Sequence, residues 1–181
     1  MSFLPRRLIC AALLGAPLLM SACAPDANQF PPACPGTALL GPTADVAIYR
    51  PGTKGQDLTA LMLAGRMETI QGKCQPGEKK GTVAATVVVG AVLTRGPAMP
   101  GNEARVPIFI AVTQGDRILD KRIYAVDAVF PSNVDRVTVS TPPVNMVLPV
   151  TPTKSAAAYV IMAGFQLTRD QLAANRARGA Q

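Results

Sequence analysis

The segment Thr82–Arg95 constrains the fold more than any other part of the sequence. Its side chains alternate between two sets, and both sets are mainly apolar. A period of two indicates a β-strand, and apolar residues on both faces are typical of a strand buried in the middle of a protein. The first set is Val83, Ala85, Val87, Val89, Ala91 and Leu93, and the second is Ala84, Thr86, Val88, Val92 and Thr94.

Turn signals separate this strand from several others. The runs 106–113 and 117–129 are joined by Gln114-Gly115-Asp116, and Gly-Asp between two such runs indicates a hairpin. Further strands are predicted at 46–50, 67–73, 134–140, 146–150 and 157–167. Eight short strands separated by Pro and Gly, with little helix, predict an all-β fold, an antiparallel β-sandwich.

A tyrosine near the last predicted strand indicates the type of sandwich. Leu148-Pro149, a turn at Pro152 and then Tyr159-Val160-Ile161 resemble the tyrosine corner of immunoglobulin-like and fibronectin type III domains. In that corner the hydroxyl of the tyrosine binds upstream backbone. We therefore expect an immunoglobulin/fibronectin III-like sandwich. The alternative is that Tyr159 is an ordinary half-buried strand residue.

The C-terminus has the pattern of a short α-helix. Thr168 and Gln171 form a capping-box sequence, and Gly179 is placed to end the helix, so we predict a helix at about 169–178. We expect Leu172 to pack it on the sandwich, and the alternative is a basic tail that docks a partner. A second short helix, capped by Asp57, is predicted at 58–64.

The N-terminus resembles a bacterial targeting segment. Arg6 and Arg7 precede an apolar run that is too short to span a bilayer, so residues 1–22 are predicted to be a signal peptide. Residues 19–23 resemble a lipobox, in which Cys23 would be acylated and become the mature N-terminus. The alternative is ordinary cleavage that releases a soluble protein. By resemblance to a known sorting rule, Ala24 after the cysteine favours the outer membrane, facing the periplasm.

The cysteines and prolines divide the rest of the chain. Residues 23–36 are predicted to be the lipidated cysteine and a Pro-rich tether, and residues 37–181 a single domain. Cys10 leaves with the signal, so acylation of Cys23 leaves one pair, Cys34 and Cys74, for a disulfide in an oxidising compartment. The alternative is two free buried thiols.

The composition excludes many kinds of active site. The chain has no histidine, which excludes Ser-His-Asp and Cys-His nucleophiles and His-ligated zinc. The stretch 72–80 resembles a P-loop, but Glu78 occupies the position of the P-loop lysine and no Ser or Thr follows Lys79. It is better interpreted as a hairpin loop with solvated lysines. Asp116 and Asp120 are interpreted as a solvated strand edge. We therefore predict no enzyme activity and no catalytic, cofactor-binding or metal-binding residue.

The positive charge of the chain bears on its partners. Without Arg6 and Arg7, 16 cationic side chains face 11 carboxylates, a net charge of about +5. Export and the lack of aromatic residues among the cations argue against nucleic acid as a partner. Attraction to an anionic membrane or cell-wall surface fits this charge.

Several short motifs together resemble an uncharacterised family of bacterial lipoproteins of the alphaproteobacterial type. The resemblance covers nearly the whole mature chain and implies that Gly164-Phe165-Gln166-Leu167-Thr168 and the 34–74 cysteine pair are family features. It brings no activity. The other motifs are Cys34-Pro35, Arg50-Pro51-Gly52, Asp57-Leu58-Thr59, Arg95-Gly96-Pro97-Ala98, Ile110-Ala111-Val112-Thr113, Phe130-Pro131, and Gln171-Leu172 with Asn175.

These observations predict a non-catalytic lipoprotein of the cell envelope. It would be anchored to the membrane through its N-terminal lipid, need no cofactor, and have a structural or protein-interaction role with an envelope protein as partner. The alternative is a module that binds a small ligand, a lipid or a glycan in an apolar groove of the sandwich.

Overall fold

The computed structural model describes residues 33–53 and 57–179, and their strands form two sheets. Short 3-10 turns at Gly41–Thr43, Leu58–Ala60 and Ala156–Ala158 connect some of the elements. The elements are β1 (Gly36–Leu39), β2 (Asp45–Tyr49), β3 (Leu61–Pro76), β4 (Thr82–Arg95), β5 (Glu103–Gln114), β6 (Arg117–Val129), β7 (Arg136–Ser140), β8 (Val144–Pro149), β9 (Val160–Phe165) and α1 (Arg169–Arg178).

The two sheets enclose one apolar core. Sheet I has the order β1-β9-β5-β6, and sheet II has the order β2-β3-β4-β7, with β8 also paired to β4. The pairings are antiparallel except for β1 and β9, which are parallel. Leu93 of sheet II and Ile108 and Ile161 of sheet I are all fully buried in the same cluster. The prediction of an all-β sandwich with a short C-terminal helix is confirmed.

β4 lies in the middle of sheet II, as the sequence pattern predicts, and its bounds agree with the predicted ones. β3 pairs along one side of it, while β8 and β7 follow each other along the opposite side. Thr141 closes the gap between these two short strands. Its N–H donates to the carbonyl of Val89 at 2.9 Å, and its hydroxyl accepts from the N–H of Val89 at 3.1 Å.

The finer assignment to the immunoglobulin or fibronectin III type is not confirmed. In those domains the last two strands, F and G, lie in the same sheet. Here β8 belongs to sheet II and β9 to sheet I, where β9 pairs with β5. The predicted tyrosine contact is nevertheless present. Tyr159 is fully buried, and its hydroxyl donates to the carbonyl of Pro149 at 2.7 Å, so the interpretation as a half-buried strand residue is wrong.

Several predicted boundaries are corrected by the structure. The helix predicted at 58–64 is a single 3-10 turn, because β3 begins at Leu61 and pairs with β2; Asp57 still caps the turn by accepting from Thr59 N–H at 2.9 Å. The last strand is shorter than 157–167, since residues 156–158 form another such turn. β1 was not predicted, and it begins at the final residue of the predicted tether.

α1 begins and ends where the sequence predicts. Both hydrogen bonds of the capping box between Thr168 and Gln171 are present, and Gly179 is the C-cap. Leu172 is only partly buried, and polar contacts hold the helix on the sandwich. Asn175 donates to the carbonyls of Pro42 at 3.1 Å and Asp45 at 2.7 Å, and is 8% exposed.

Candidate functional site

The predicted disulfide fixes where the chain reaches the domain. Cys34 and Cys74 are bonded, with 5.8 Å between their Cα atoms, so the alternative of two free thiols is wrong. The bond ties the residues just before β1 of sheet I to β3 of sheet II. The first described residues therefore lie against the far end of β3, beside the loop that leads into β4.

One end of the sandwich gathers this start of the chain and three loops. In sheet I the register aligns Gly36, Val160, Thr113 and Ile118 in one row. In sheet II the corresponding ends of β3, β4 and β8 come together, with Thr82 opposite Pro149. The Tyr159 hydroxyl bond and the disulfide join the two sheets there. We call this the basal end and define it as residues 33–39, 73–85, 110–123 and 146–163, which hold the start of the chain, the turns 77–81 and 115–116, the connection 150–159 and the strand ends next to them.

The basal end holds most of the net positive charge of the described residues. All five described lysines lie there. The basal end has seven cationic side chains and three carboxylates, which give it a net charge of +4. The remaining described residues balance eight arginines against seven carboxylates, a net charge of +1. The basal cations are Lys73, Lys79, Lys80, Arg117, Lys121, Arg122 and Lys154, and the carboxylates are Glu78, Asp116 and Asp120.

An apolar pair projects from the basal end at the tip of the β5–β6 hairpin. The side chains of Ile118 and Leu119 are 66% and 45% exposed. The strand register shifts between Val112 and Thr113, so β6 has one residue more than β5 at this point. Such a bulge interrupts the alternation of side chains, which leaves two apolar neighbours outside the core.

Two of the basal lysines lie over aromatic rings. The Lys121 ammonium is 4.6 Å from the ring centroid of Phe109, and that of Lys154 is 4.6 Å from the ring of Tyr159. A cation at this distance is attracted by the face of the ring. These contacts hold the two charges beside the loops instead of leaving the long side chains to sample open solvent.

Asp116 and Asp120, interpreted above as a solvated strand edge, lie at the β5–β6 hairpin. Asp116 lies in the hairpin turn, and Asp120 accepts from Nε of Arg122 at 3.0 Å. Both residues are exposed, which agrees with their interpretation as a solvated edge. The P-loop-like stretch is the end of β3 and its turn, with Lys79 and Lys80 exposed, which confirms a hairpin loop.

Exposed ion pairs account for charges on the rest of the sandwich. Arg105 donates to Asp127 at 2.6 Å and Arg66 donates to Asp45 at 2.8 Å, both between neighbouring strands. The hydrogen bond from Arg105 lowers the pKa of Asp127, and the charge of Arg105 acts in the same direction. These pairs neutralise their partners locally, whereas Lys79 and Lys80 form no ion pair among the described residues.

The cavities that the described residues line differ in size. One beside the disulfide reaches the core residues Ala85, Val87 and Ile161 and has a volume of about 140 Å³, whereas one at the β5–β6 pair beside Arg105 and Asp127 measures about 500 Å³. Ligand sites usually measure about 300–1,000 Å³. Within residues 33–53 and 57–179, no cluster of three or more carboxylates or cysteines could hold a metal ion. The same residues contain no helix long and apolar enough to cross a membrane.

Cys23, the predicted lipidation site, and the predicted signal peptide 1–22 lie outside the described residues. Neither the exposed apolar pair Ile118-Leu119 nor the joint position of the lysines was predicted from the sequence, in which Leu119 appears only as part of an alternating strand pattern. One signal was present, since two adjacent apolar residues follow Arg117 at a predicted turn and precede Lys121 and Arg122.

Comparisons with known proteins add no relative. The chain matches no protein-family model, no curated protein and no solved structure. The basal end therefore has to be interpreted from its own geometry and charge.

Proposed function

We propose that this chain is a lipoprotein of the bacterial cell envelope, of the family that its motifs resemble, acylated at Cys23 and held at the outer membrane facing the periplasm. The observation that carries the proposal is the position of residue 33 at the basal end. A membrane attached at Cys23 would meet the end of the sandwich that bears a net charge of +4. The Cys34–Cys74 disulfide also supports an oxidising compartment, where such bonds persist.

The role that follows is structural or in protein interaction, without catalysis. Histidine is absent from the chain, and the candidate carboxylates Asp116 and Asp120 serve a turn and an ion pair. A domain fixed to the membrane at its basal end would present its opposite end, with α1 and the turn Gly41–Thr43, to the periplasm. An envelope protein is the partner that this arrangement suits.

Replacing the acylated cysteine tests the anchor. We expect Cys23→Ser to move the protein from the membrane fraction and to prevent lipoprotein processing, and globomycin to cause accumulation of the precursor of the unaltered protein. Cys10→Ser is the matched control, because Cys10 would be removed with the signal. The anchor is disproved if Cys23→Ser is processed and fractionates like the unaltered protein.

A further inference from the structure

We propose that the basal end docks directly on a membrane surface that bears anionic headgroups, as a second contact besides the N-terminal lipid. This inference rests on the proposed function, because the lipid would deliver the domain to that surface. It adds an orientation, with sheets I and II standing end-on to the membrane and the β5–β6 hairpin touching it.

The length of chain between Cys23 and β1 allows the basal end to reach the membrane. Thirteen residue steps separate Cys23 from Gly36, which bounds the reach of the tether at about 45 Å. Gly36 and Ile118 lie in the same row of sheet I at opposite edges of the sheet, so about three strand spacings, or 15 Å, separate them. A tether of this length allows hairpin contact, and it holds the domain at a high effective concentration near the surface.

The charge of the basal end complements an anionic surface. Lys73, Lys79 and Lys80 are exposed on one side of this end, and Arg117 is exposed at the hairpin. Each cation near such a surface contributes about a fivefold gain in binding, and the effect extends about one Debye length, close to 10 Å at 0.1 M salt. The remaining described residues, with a net charge of +1, offer less of this attraction.

The hairpin tip adds an apolar contact to the charge. Interfacial binding is strongest where apolar side chains and cations occur together, since the first enter the headgroup boundary while the second meet the phosphates. Ile118 and Leu119 are the exposed apolar pair, and the exposed Arg117 directly precedes them in β6. The apolar surface of both side chains is exposed to water in solution, which is unfavourable. Contact with the membrane would remove part of this surface from water.

Vesicle binding tests the docking without the lipid. The described residues 33–53 and 57–179 belong to one compact unit that contains every described strand, the disulfide and α1, so a fragment of residues 31–181 is used in its oxidised form. We expect it to float with phosphatidylcholine vesicles that contain 30 mol% phosphatidylglycerol, taken as about one anionic headgroup in three. We expect weak binding to pure phosphatidylcholine, and release as salt is raised.

A matched pair of triple variants locates the charge effect. Lys73→Gln with Lys79→Gln and Lys80→Gln should weaken binding to the anionic vesicles by about 100-fold, since each lysine near the surface contributes about fivefold. Arg136→Gln with Arg169→Gln and Arg176→Gln removes the same charge from exposed positions elsewhere and should change binding by about twofold or less. Equal losses in the two variants, or equal binding to neutral and anionic vesicles, would overturn the proposal.

A second pair tests the apolar tip. Ile118→Ser should weaken vesicle binding several-fold, whereas Leu58→Ser, at a similarly exposed site of 71% beyond the basal end, should not. If the basal end binds an acidic protein and not a membrane, the fragment will stay in solution with every type of vesicle. That result also overturns the proposal. Cys23→Ser fractionation is scored separately, so loss of the anchor and loss of the docking are distinguishable.

Discussion

At the scale of single residues, Tyr159 shows how one hydroxyl can join the two sheets. It stands just before β9 of sheet I and donates to the carbonyl of Pro149, the last residue of β8 in sheet II. The Lys154 ammonium lies on the face of its ring. The sequence predicted the contact through its resemblance to a tyrosine corner, in which the hydroxyl binds upstream backbone. It did not predict the strand pairing around that contact.

Removal of this hydroxyl should destabilise the domain. We expect Tyr159→Phe to lower the free energy of unfolding by about 1 kcal/mol, the usual net value of a hydrogen bond, while the ring stays packed. Urea unfolding followed by circular dichroism measures the change. Tyr124→Phe is the control, because Tyr124 is half-buried and its hydroxyl makes no hydrogen bond within the described residues. Equal effects of the two variants would show that the Pro149 contact contributes nothing.

The exposure of the lysines could be predicted from their residue type, but their clustering at one end of the domain could not. Lys73, Lys121 and Lys154 are separated by dozens of positions in the chain and meet at one end only because of how the strands pair. Charge patterns along a sequence report local neighbours, whereas the net charge of +4 at the basal end is a property of the tertiary arrangement.

At the scale of elements, the accuracy of prediction follows the range of the interactions. The bounds of α1 were predictable because the capping box of Thr168 and Gln171 acts within four residues. The strands β4 and β6 were predictable from alternation. β1 was missed because its four residues follow a Pro-rich segment and gain their order from β9 and the disulfide, which a local pattern does not record.

The docking of α1 leads to a prediction about Asn175. We expect Asn175→Ala to lower the free energy of unfolding by about 2 kcal/mol, because the carbonyls of Pro42 and Asp45 lose the donor that the buried Asn175 amide supplies. Amide hydrogen exchange should rise in α1 more than in β4. Asn145→Ala is the control, since Asn145 only accepts from the hydroxyl of Thr86 at the exposed surface. Unchanged exchange in α1 would mean that Asn175 does not hold the helix.

At the scale of the whole molecule, the disulfide is expected to be the largest single contribution. It closes a loop across a sequence separation of 40 residues. Loss of the bond in Cys34→Ser should lower the free energy of unfolding by about 2–4 kcal/mol, through loop closure in the unfolded chain. Cys34→Ser with Cys74→Ser is the matched comparison, because it lacks the bond and leaves no unpaired thiol at Cys74. Stability that is the same in reducing and oxidising buffer would contradict the expectation.

The sequence predicted the class of the fold but not its order of strands. Alternation in Thr82–Arg95 and the turn at Gly115-Asp116 specify strands and a hairpin, which are local properties. Pairing of β9 with β5 and β1 depends on contacts between distant segments, and several arrangements of the same strands would satisfy the same apolar pattern. For this reason the tyrosine contact was right while the immunoglobulin or fibronectin III type is not confirmed.

The parallel pairing of β1 with β9 also bears on how the chain reaches this structure. Gly36 pairs with Val160, so sheet I is complete only when the last strand of the chain has paired with the first. Contacts so distant in sequence slow folding, because a long loop must close before they form. The 34–74 bond needs only the first part of the chain. A chain that emerges N-terminus first can therefore secure β1 beside β3 early, and β9 then arrives at an edge that is already in place.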